Sequence, residues 1–133
     1  MHDDDARGAI RPDGIYAPAT YDHAMWAGET LYVAGQVARD ATGALVAPGD
    51  AAGQARQVYT NLARVLEAAG LSPEHVVKVT TYLVDGADGA AVTAERLSFF
   101  GDHRPPHTGI VVAALGGPEV RVEVEVVAYR RRT

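Results

Sequence analysis

The chain has 133 residues, no cysteine and a formal net charge of −5 at pH 7. That length fits one domain with its own core, and the absence of cysteine excludes disulfides, thiolate nucleophiles and cysteine metal ligands. The acidic balance argues against a nucleic-acid partner, because phosphate binding needs clustered Lys and Arg. No apolar run has the length of a membrane span, and the acidic start does not fit a signal peptide. We therefore expect a cytoplasmic protein that contacts no membrane.

The first predicted elements are a tail and a β-hairpin. Residues 1–14 are predicted to form a mobile N-terminal tail, and residues 15–133 a single domain. Two strand patterns, over residues 21–26 and 30–37, are joined by the turn Ala27-Gly28-Glu29. Gly35 interrupts the second strand, which indicates either a bulge or the close approach of another backbone or a ligand.

Two helices and a strand follow the hairpin. Asp50 can cap the first helix and Gly70 can end it, and its apolar residues recur at three- and four-residue spacing: Ala55, Val58, Tyr59, Leu62, Val65, Leu66 and Ala69. Residues 75–84 alternate as a strand, with one face formed by Val77, Val79, Thr81 and Leu83. A second helix is predicted from Asp88 to Phe100 and ends at Gly101.

A proline pair precedes the next predicted strand, residues 110–115. Pro105 and Pro106 restrict their own φ angles and those of the residues before them, so the chain should enter the strand in an extended conformation. His107 then stands at the mouth of the strand. This position suits a side chain that faces a cleft, and it equally suits a partly exposed loop residue.

The last predicted strand, residues 120–129, has two different faces. One face carries the valines Val120, Val122, Val124 and Val126, which the helices should cover. The other face mixes charged and apolar side chains: Arg121, Glu123, Glu125, Val127 and Tyr129. Such a mixture suits contact with another subunit. Glu123 and Glu125 could be solvated side chains or functional ones.

Taken together, these segments resemble the RidA (YjgF-type) family of reactive-intermediate deaminases over nearly the whole chain from Tyr16 onward. The motifs that carry the resemblance are Thr30-Leu31-Tyr32-Val33-Ala34-Gly35-Gln36, Gln54-Ala55-Arg56-Gln57 with Asn61-Leu62, Ala68-Ala69-Gly70-Leu71, the run from Val76 to Asp85, Phe99-Phe100-Gly101, and the run from Val122 to Ala128. The resemblance implies a chorismate-mutase-like α+β fold, in which two helices pack on one face of a mixed sheet. It also implies a homotrimer with a central barrel and small-molecule clefts between subunits.

The resemblance further implies hydrolysis of enamines and imines without a metal or cofactor. Among the family's substrate-binding positions, Tyr21 and the main chain of Gly35 match, and Thr93 stands where members usually have asparagine. Glu123 matches the family residue that handles the water or the leaving amine. His107, in Pro105-Pro106-His107-Thr108, replaces the arginine that grips the substrate carboxylate.

This replacement determines the predicted substrate. A guanidinium gives a carboxylate two charge-assisted hydrogen bonds of about 1.5 to 3 kcal/mol each, which a neutral imidazole cannot match. We therefore expect a small substrate without a carboxylate.

Two other arrangements could make up for the missing arginine. Arg96, one helical turn after Thr93, could supply the missing cation unless it is a surface residue with a buried stem. Alternatively, His107 and Glu123 form a catalytic acid–base pair, in which Glu123 raises the charged fraction of His107.

Several functions fit these residues. The leading interpretation is an enamine/imine deaminase-type hydrolase with a small-molecule substrate and no cofactor. The alternatives are a catalytically silent trimer that binds a metabolite or a partner protein, and a diverged biosynthetic catalyst of cyclisation, elimination or isomerisation. RNA cleavage, an activity attached to relatives, is disfavoured by the acidic charge.

Overall fold

The structure is a computed structural model that describes residues 7–131. Its helices and strands are β1 (Arg7–Ile10), β2 (Ala24–Ala27), β3 (Thr30–Gln36), α1 (Ala51–Ala68), β4 (Val76–Leu83), α2 (Gly89–Phe100), β5 (His107–Val111) and β6 (Val122–Tyr129). The strands form one sheet in the order β1-β2-β3-β6-β4-β5. Only β4 and β5 pair in parallel; the other neighbours are antiparallel. The predicted α+β fold with a mixed sheet and two helices is confirmed.

Both helices lie on one face of the sheet, and the core fills the space between them. The Asp50 carboxylate accepts a hydrogen bond from the Gly53 backbone N–H at 3.2 Å and so caps α1 as predicted. Gly70 follows the helix with φ of 76°, a conformation that favours glycine. Val122, Val124 and Val126 of β6 are buried beneath the helices, together with Leu31 and Val33 of β3. Within residues 7–131, no helix is both long and apolar enough to cross a bilayer.

Three predicted strands differ in detail. The strand predicted over residues 21–26 is Ala24–Ala27, so Tyr21 lies in the loop before it and Ala27 belongs to the strand and not to the turn. The strand predicted over residues 110–115 instead runs from His107 to Val111, because it pairs along β4 and its last partner there is Leu83. His107 is therefore part of the strand and not a loop residue before it. Val77 was expected to share a face with Val79, Thr81 and Leu83. Those three are buried, but Val77 is 46% exposed, because the pairing of β4 with β6 shifts register between Val76 and Lys78.

The predicted N-terminal tail contains a strand that the sequence analysis missed. Residues Arg7–Ile10 form β1 and pair antiparallel with β2 at the edge of the sheet. This four-residue strand is too short to show a clear alternation, and Ile10 packs against the core. The part of the tail prediction that concerns residues 1–6 lies outside the described residues.

Candidate functional site

The predicted site residues fall into two groups. Tyr21, Gly35 and Glu123 line one cavity of about 470 Å³, here called the Glu123 cleft. Arg96 and His107 line a second cavity of about 50 Å³, and with Thr81 they are here called the His107 cluster. Thr93 is on α2, one turn before Arg96, and lines neither cavity.

A β-bulge in β3 forms the floor of the Glu123 cleft. The register of β3 against β6 shifts between Val33 and Gln36, where Gly35 lies. A Cβ atom placed on Gly35 would lie 2.0 Å from Oε2 of Glu123. The bulge predicted at this glycine is confirmed, but the group that lies against its backbone is the Glu123 carboxylate, a side chain of the same protomer, and not another backbone or a ligand.

The loop before β2 forms one wall of this cleft. Buried His23 holds the loop in place, since its Nε2 lies 2.7 Å from the Tyr16 carbonyl and its Nδ1 lies 3.1 Å from the Gln36 amide nitrogen. The amide nitrogen of Gln36 also donates to the Ala34 carbonyl, and an amide nitrogen can only donate. Nδ1 of His23 is therefore an acceptor, and the Nε2–H of His23 donates to the Tyr16 carbonyl. The hydroxyl groups of Tyr16 and Tyr21 lie 3.4 Å apart.

Glu123 is half-buried in this cleft and has no hydrogen-bond partner within residues 7–131. Burial raises the pKa of its carboxyl group, and the negative charge of Glu125 raises that pKa further. Glu125 itself accepts a hydrogen bond from the Tyr82 hydroxyl. Of these two strand glutamates, Glu123 is the one available to exchange a proton with a bound molecule.

The His107 cluster lies on the other side of the sheet. His107 pairs with Val79 and shares its face, which is the face that the helices cover. Its Nε2 lies 2.9 Å from the Thr81 hydroxyl oxygen and 3.1 Å from Nη1 of Arg96. Because a guanidinium can only donate, Nε2 is the acceptor and the proton of the neutral ring is on Nδ1.

The electrostatics of His107 differ from the expectation. Burial lowers the pKa of the imidazole, and the positive charges of Arg96 and Lys78 lower it further. The expected rise from Glu123 is absent within the protomer, because the charged groups near His107 are cations. Arg96 reaches the imidazole and forms no ion pair with a carboxylate of the described chain. The cation of this cluster is therefore Arg96.

One protomer does not bring His107 and Glu123 together. Glu123 pairs with Tyr82 of β4 and His107 pairs with Val79, so the two side chains leave opposite faces of the sheet. Their backbones are two strands and three residue steps apart, about 14 Å from standard sheet spacings. If the two residues act on one substrate, they must come from different protomers.

Among the lining residues of the Glu123 cleft that the sequence analysis missed, Tyr16 and Arg39 have polar side chains. Neither belongs to a strand or helix, so no periodic pattern marked them. Within residues 7–131, no group of three or more His, Asp or Glu side chains could hold a metal ion.

Comparisons with known proteins identify the family. The family model described as endoribonuclease L-PSP matches residues 12–130, and the chain therefore belongs to this family, the YjgF/RidA family. A RutC family protein from Pyrococcus horikoshii is 37% identical over 83% of this chain and 86% of its own length. A protein from Capra hircus named 2-iminobutanoate/2-iminopropanoate deaminase is 36% identical over 86% of this chain and 85% of its own length.

Solved structures agree with this assignment. RidA from the Antarctic bacterium Psychrobacter superposes with a TM-score of 0.86 at 33% identity, covering 92% of this chain and 99% of that one. The YjgF gene product from E. coli superposes with a TM-score of 0.85 at 32% identity, covering 93% and 99%. The chorismate-mutase-like fold of this family is thus the fold of the chain.

The pKa of Glu123 provides a direct test of the cleft's electrostatics. In an NMR titration of the side-chain carboxyl carbons, we expect Glu123 to titrate at higher pH than glutamate in an unstructured peptide. Glu125→Gln should lower the pKa of Glu123, because removing a neighbouring negative charge stabilises the anion, and should leave it above the ordinary glutamate value, because burial is the larger cause. Glu74→Gln, which changes an exposed carboxylate, is the control and should not change the pKa of Glu123. A Glu123 pKa at or below the ordinary glutamate value would contradict this description.

Proposed function

We propose that this protein is an enamine/imine deaminase-type hydrolase in which Glu123 transfers the protons. The observation that carries the proposal is the half-buried Glu123 carboxyl group, which lies over the Gly35 bulge with a raised pKa and no hydrogen-bond partner in the described chain. A carboxyl group whose pKa is raised toward neutrality can both accept and donate a proton at working pH. The deaminase names of relatives at about 36% identity support the same reaction class.

The complete site is proposed to form between two protomers of a homotrimer. One protomer would contribute the Glu123 cleft and its neighbour the His107 cluster. This arrangement would bring together two residues that lie on opposite faces of the sheet within each protomer. The uncovered face of the sheet supports this assembly. It exposes 56% of Tyr32, 40% of Met25 and 40% of Tyr129 beside charged side chains, a composition that suits a subunit interface.

The chemistry requires one water and two protons, each taken and then passed on by Glu123. For an imine, Glu123 takes a proton from water as the oxygen attacks the C=N carbon, and it gives that proton to the nitrogen to form the carbinolamine. It then takes the hydroxyl proton and passes it to the nitrogen as the C–N bond breaks, so that ammonia and a carbonyl compound leave. For an enamine, the protonated carboxyl group first donates to the β-carbon, which gives an iminium ion; the carboxylate then takes the proton of the attacking water, gives it to the carbinolamine nitrogen, and takes the hydroxyl proton as ammonia leaves. Each cycle consumes one water and regenerates Glu123 in its starting form.

The His107 cluster changes the expected substrate. A lone imidazole argued for a substrate without a carboxylate, but Arg96 brings a permanent cation to the same place, 3.1 Å from His107. We propose that Arg96 binds the substrate carboxylate and that neutral His107 positions the guanidinium through Nε2. Substrates of the 2-imino acid class are then accepted, and His107 is a positioning residue and not the proton carrier.

A binding protein without activity is the main alternative. It would show saturable stabilisation by a metabolite without any product. The word endoribonuclease in the family description does not favour RNA cleavage here, because the formal net charge of −5 opposes binding of a polyanion.

Ammonia release from 2-aminoacrylate and from 2-iminopropanoate, both generated in situ, tests the reaction. The wild-type protein should accelerate release, and Glu123→Gln should lower kcat by about 10²- to 10⁴-fold, the range for loss of a general acid–base. Glu74→Gln, which changes an exposed carboxylate, should retain full activity. Wild-type turnover that survives Glu123→Gln would remove Glu123 from the mechanism, and no wild-type turnover would refute the proposed reaction.

Arg96 is tested by the charge of the substrate. Arg96→Gln should lower kcat/KM about 10- to 100-fold for 2-iminopropanoate, because a charge-assisted pair with the carboxylate is lost, and should change it little for a neutral imine. Arg56→Gln is the matched control, since Arg56 pairs with Glu95 on the exposed surface of the helices. An equal loss on both substrates would contradict a role in carboxylate binding.

A further inference from the structure

A cation other than Arg96 lines the Glu123 cleft, from a segment that the proposed mechanism does not use. Arg39 lies just after β3, where its backbone forms an isolated antiparallel β-bridge with Leu45. Its side chain lines the cleft together with Tyr16 and Glu123. Its Nη1 donates to the Gly43 carbonyl at 3.0 Å, which anchors one arm of the guanidinium. No other hydrogen bond involves the Arg39 side chain within residues 7–131, so the remaining N–H donors are available to a ligand.

The charge of Arg39 is not neutralised by the described chain. Neither Glu123 nor any other carboxylate of residues 7–131 forms an ion pair with it. The adjacent Asp40 is turned into its own loop, where Oδ1 accepts from the Thr42 N–H, the Thr42 hydroxyl and the Ala44 N–H. The pKa of Glu123 is raised, whereas a close cation would lower it, which agrees with a separation between the two groups.

The surroundings of Arg39 suit an anion. Tyr16 and Tyr21 add phenol hydroxyls to the same wall. Burial and the contact with Tyr21 raise the pKa of Tyr16, so its hydroxyl keeps its proton at neutral pH and can donate. The volume of about 470 Å³ accommodates a small metabolite beyond the atoms that react at Glu123.

We propose that Arg39 binds a second carboxylate of the substrate, so that the preferred substrates are 2-imino dicarboxylic acids. This inference rests on the proposed function, in which Arg96 binds the carboxylate next to the imine carbon. Arg39 and Arg96 would then bind the two ends of one substrate while Glu123 acts on the carbon between them. Such imines arise by two-electron oxidation of an acidic amino acid, or by elimination of a β-substituent from one followed by tautomerisation of the enamine. Hydrolysis here releases ammonia and leaves a 2-oxo dicarboxylate.

Paired substrates test this specificity. Imines of aspartate and alanine are generated in situ by an amino-acid oxidase, and their hydrolysis is measured in competition with semicarbazide trapping. Wild type should prefer the dicarboxylate, and Arg39→Gln should lower kcat/KM about 10- to 100-fold for it, while the value for the monocarboxylate changes less than about threefold. Arg39→Lys, which keeps the charge but not the planar fork, should retain part of the preference. Arg64→Gln on the exposed side of α1 is the control and should change neither value.

An equal loss on both substrates, or an unchanged preference in Arg39→Gln, would overturn the inference and leave the proposed hydrolase intact.

A binding measurement separates the two proposals further. Calorimetry with 2-oxoglutarate and pyruvate should show tighter binding of the dicarboxylate, and Arg39→Gln should abolish the difference. If no imine is hydrolysed, the proposed function fails, but Arg39-dependent binding of the dicarboxylate would still support the anion site, and its absence would refute it.

Discussion

Helices cover only one face of the six-stranded sheet, and this constraint separates the candidate residues Glu123 and His107. Because neighbouring side chains on a strand alternate between faces, β4, β5 and β6 send some of these residues toward the helices and others away from them. His107 and Arg96 meet on the helix side, whereas Glu123 lies on the uncovered side. A site that uses both groups therefore depends on a second copy of the chain.

The Glu123 carboxylate on the uncovered side depends on one glycine at a local irregularity. A side chain at position 35 would place a Cβ atom 2.0 Å from Oε2 of Glu123. Gly35, at the bulge of β3, therefore leaves the space for that carboxylate, and the loop held by His23 closes the cleft beside it. Partial burial, in turn, raises the pKa of Glu123. The absence of a side chain at position 35 therefore allows the partly buried position in which the Glu123 carboxyl group has a raised pKa.

Residues in regular elements were predictable from the sequence. The spacing in α1 and the alternation in β6 fixed which faces are buried, and the family motifs located Tyr21, Gly35 and Glu123 in one cleft. Other features depend on tertiary contacts that no local pattern encodes. Arg39 and the wall residue Tyr16 come from a hairpin and a loop, and the contact between Arg96 and His107 depends on how α2 lies against the edge strand. Val77 was placed on the wrong face because a register shift reverses the alternation.

The most direct test of a site shared between protomers is complementation between two impaired variants. Glu123→Gln and Arg96→Gln chains, each defective alone, are unfolded together, refolded as mixed assemblies and assayed for hydrolysis of a 2-imino acid. In the proposed ring of three, every mixed trimer regains one wild-type site, so about a quarter of wild-type activity should return on random mixing. Mixing Glu123→Gln with the double variant creates no wild-type site and should restore nothing. Mixed trimers detected by native mass spectrometry without any recovered activity would contradict the shared site.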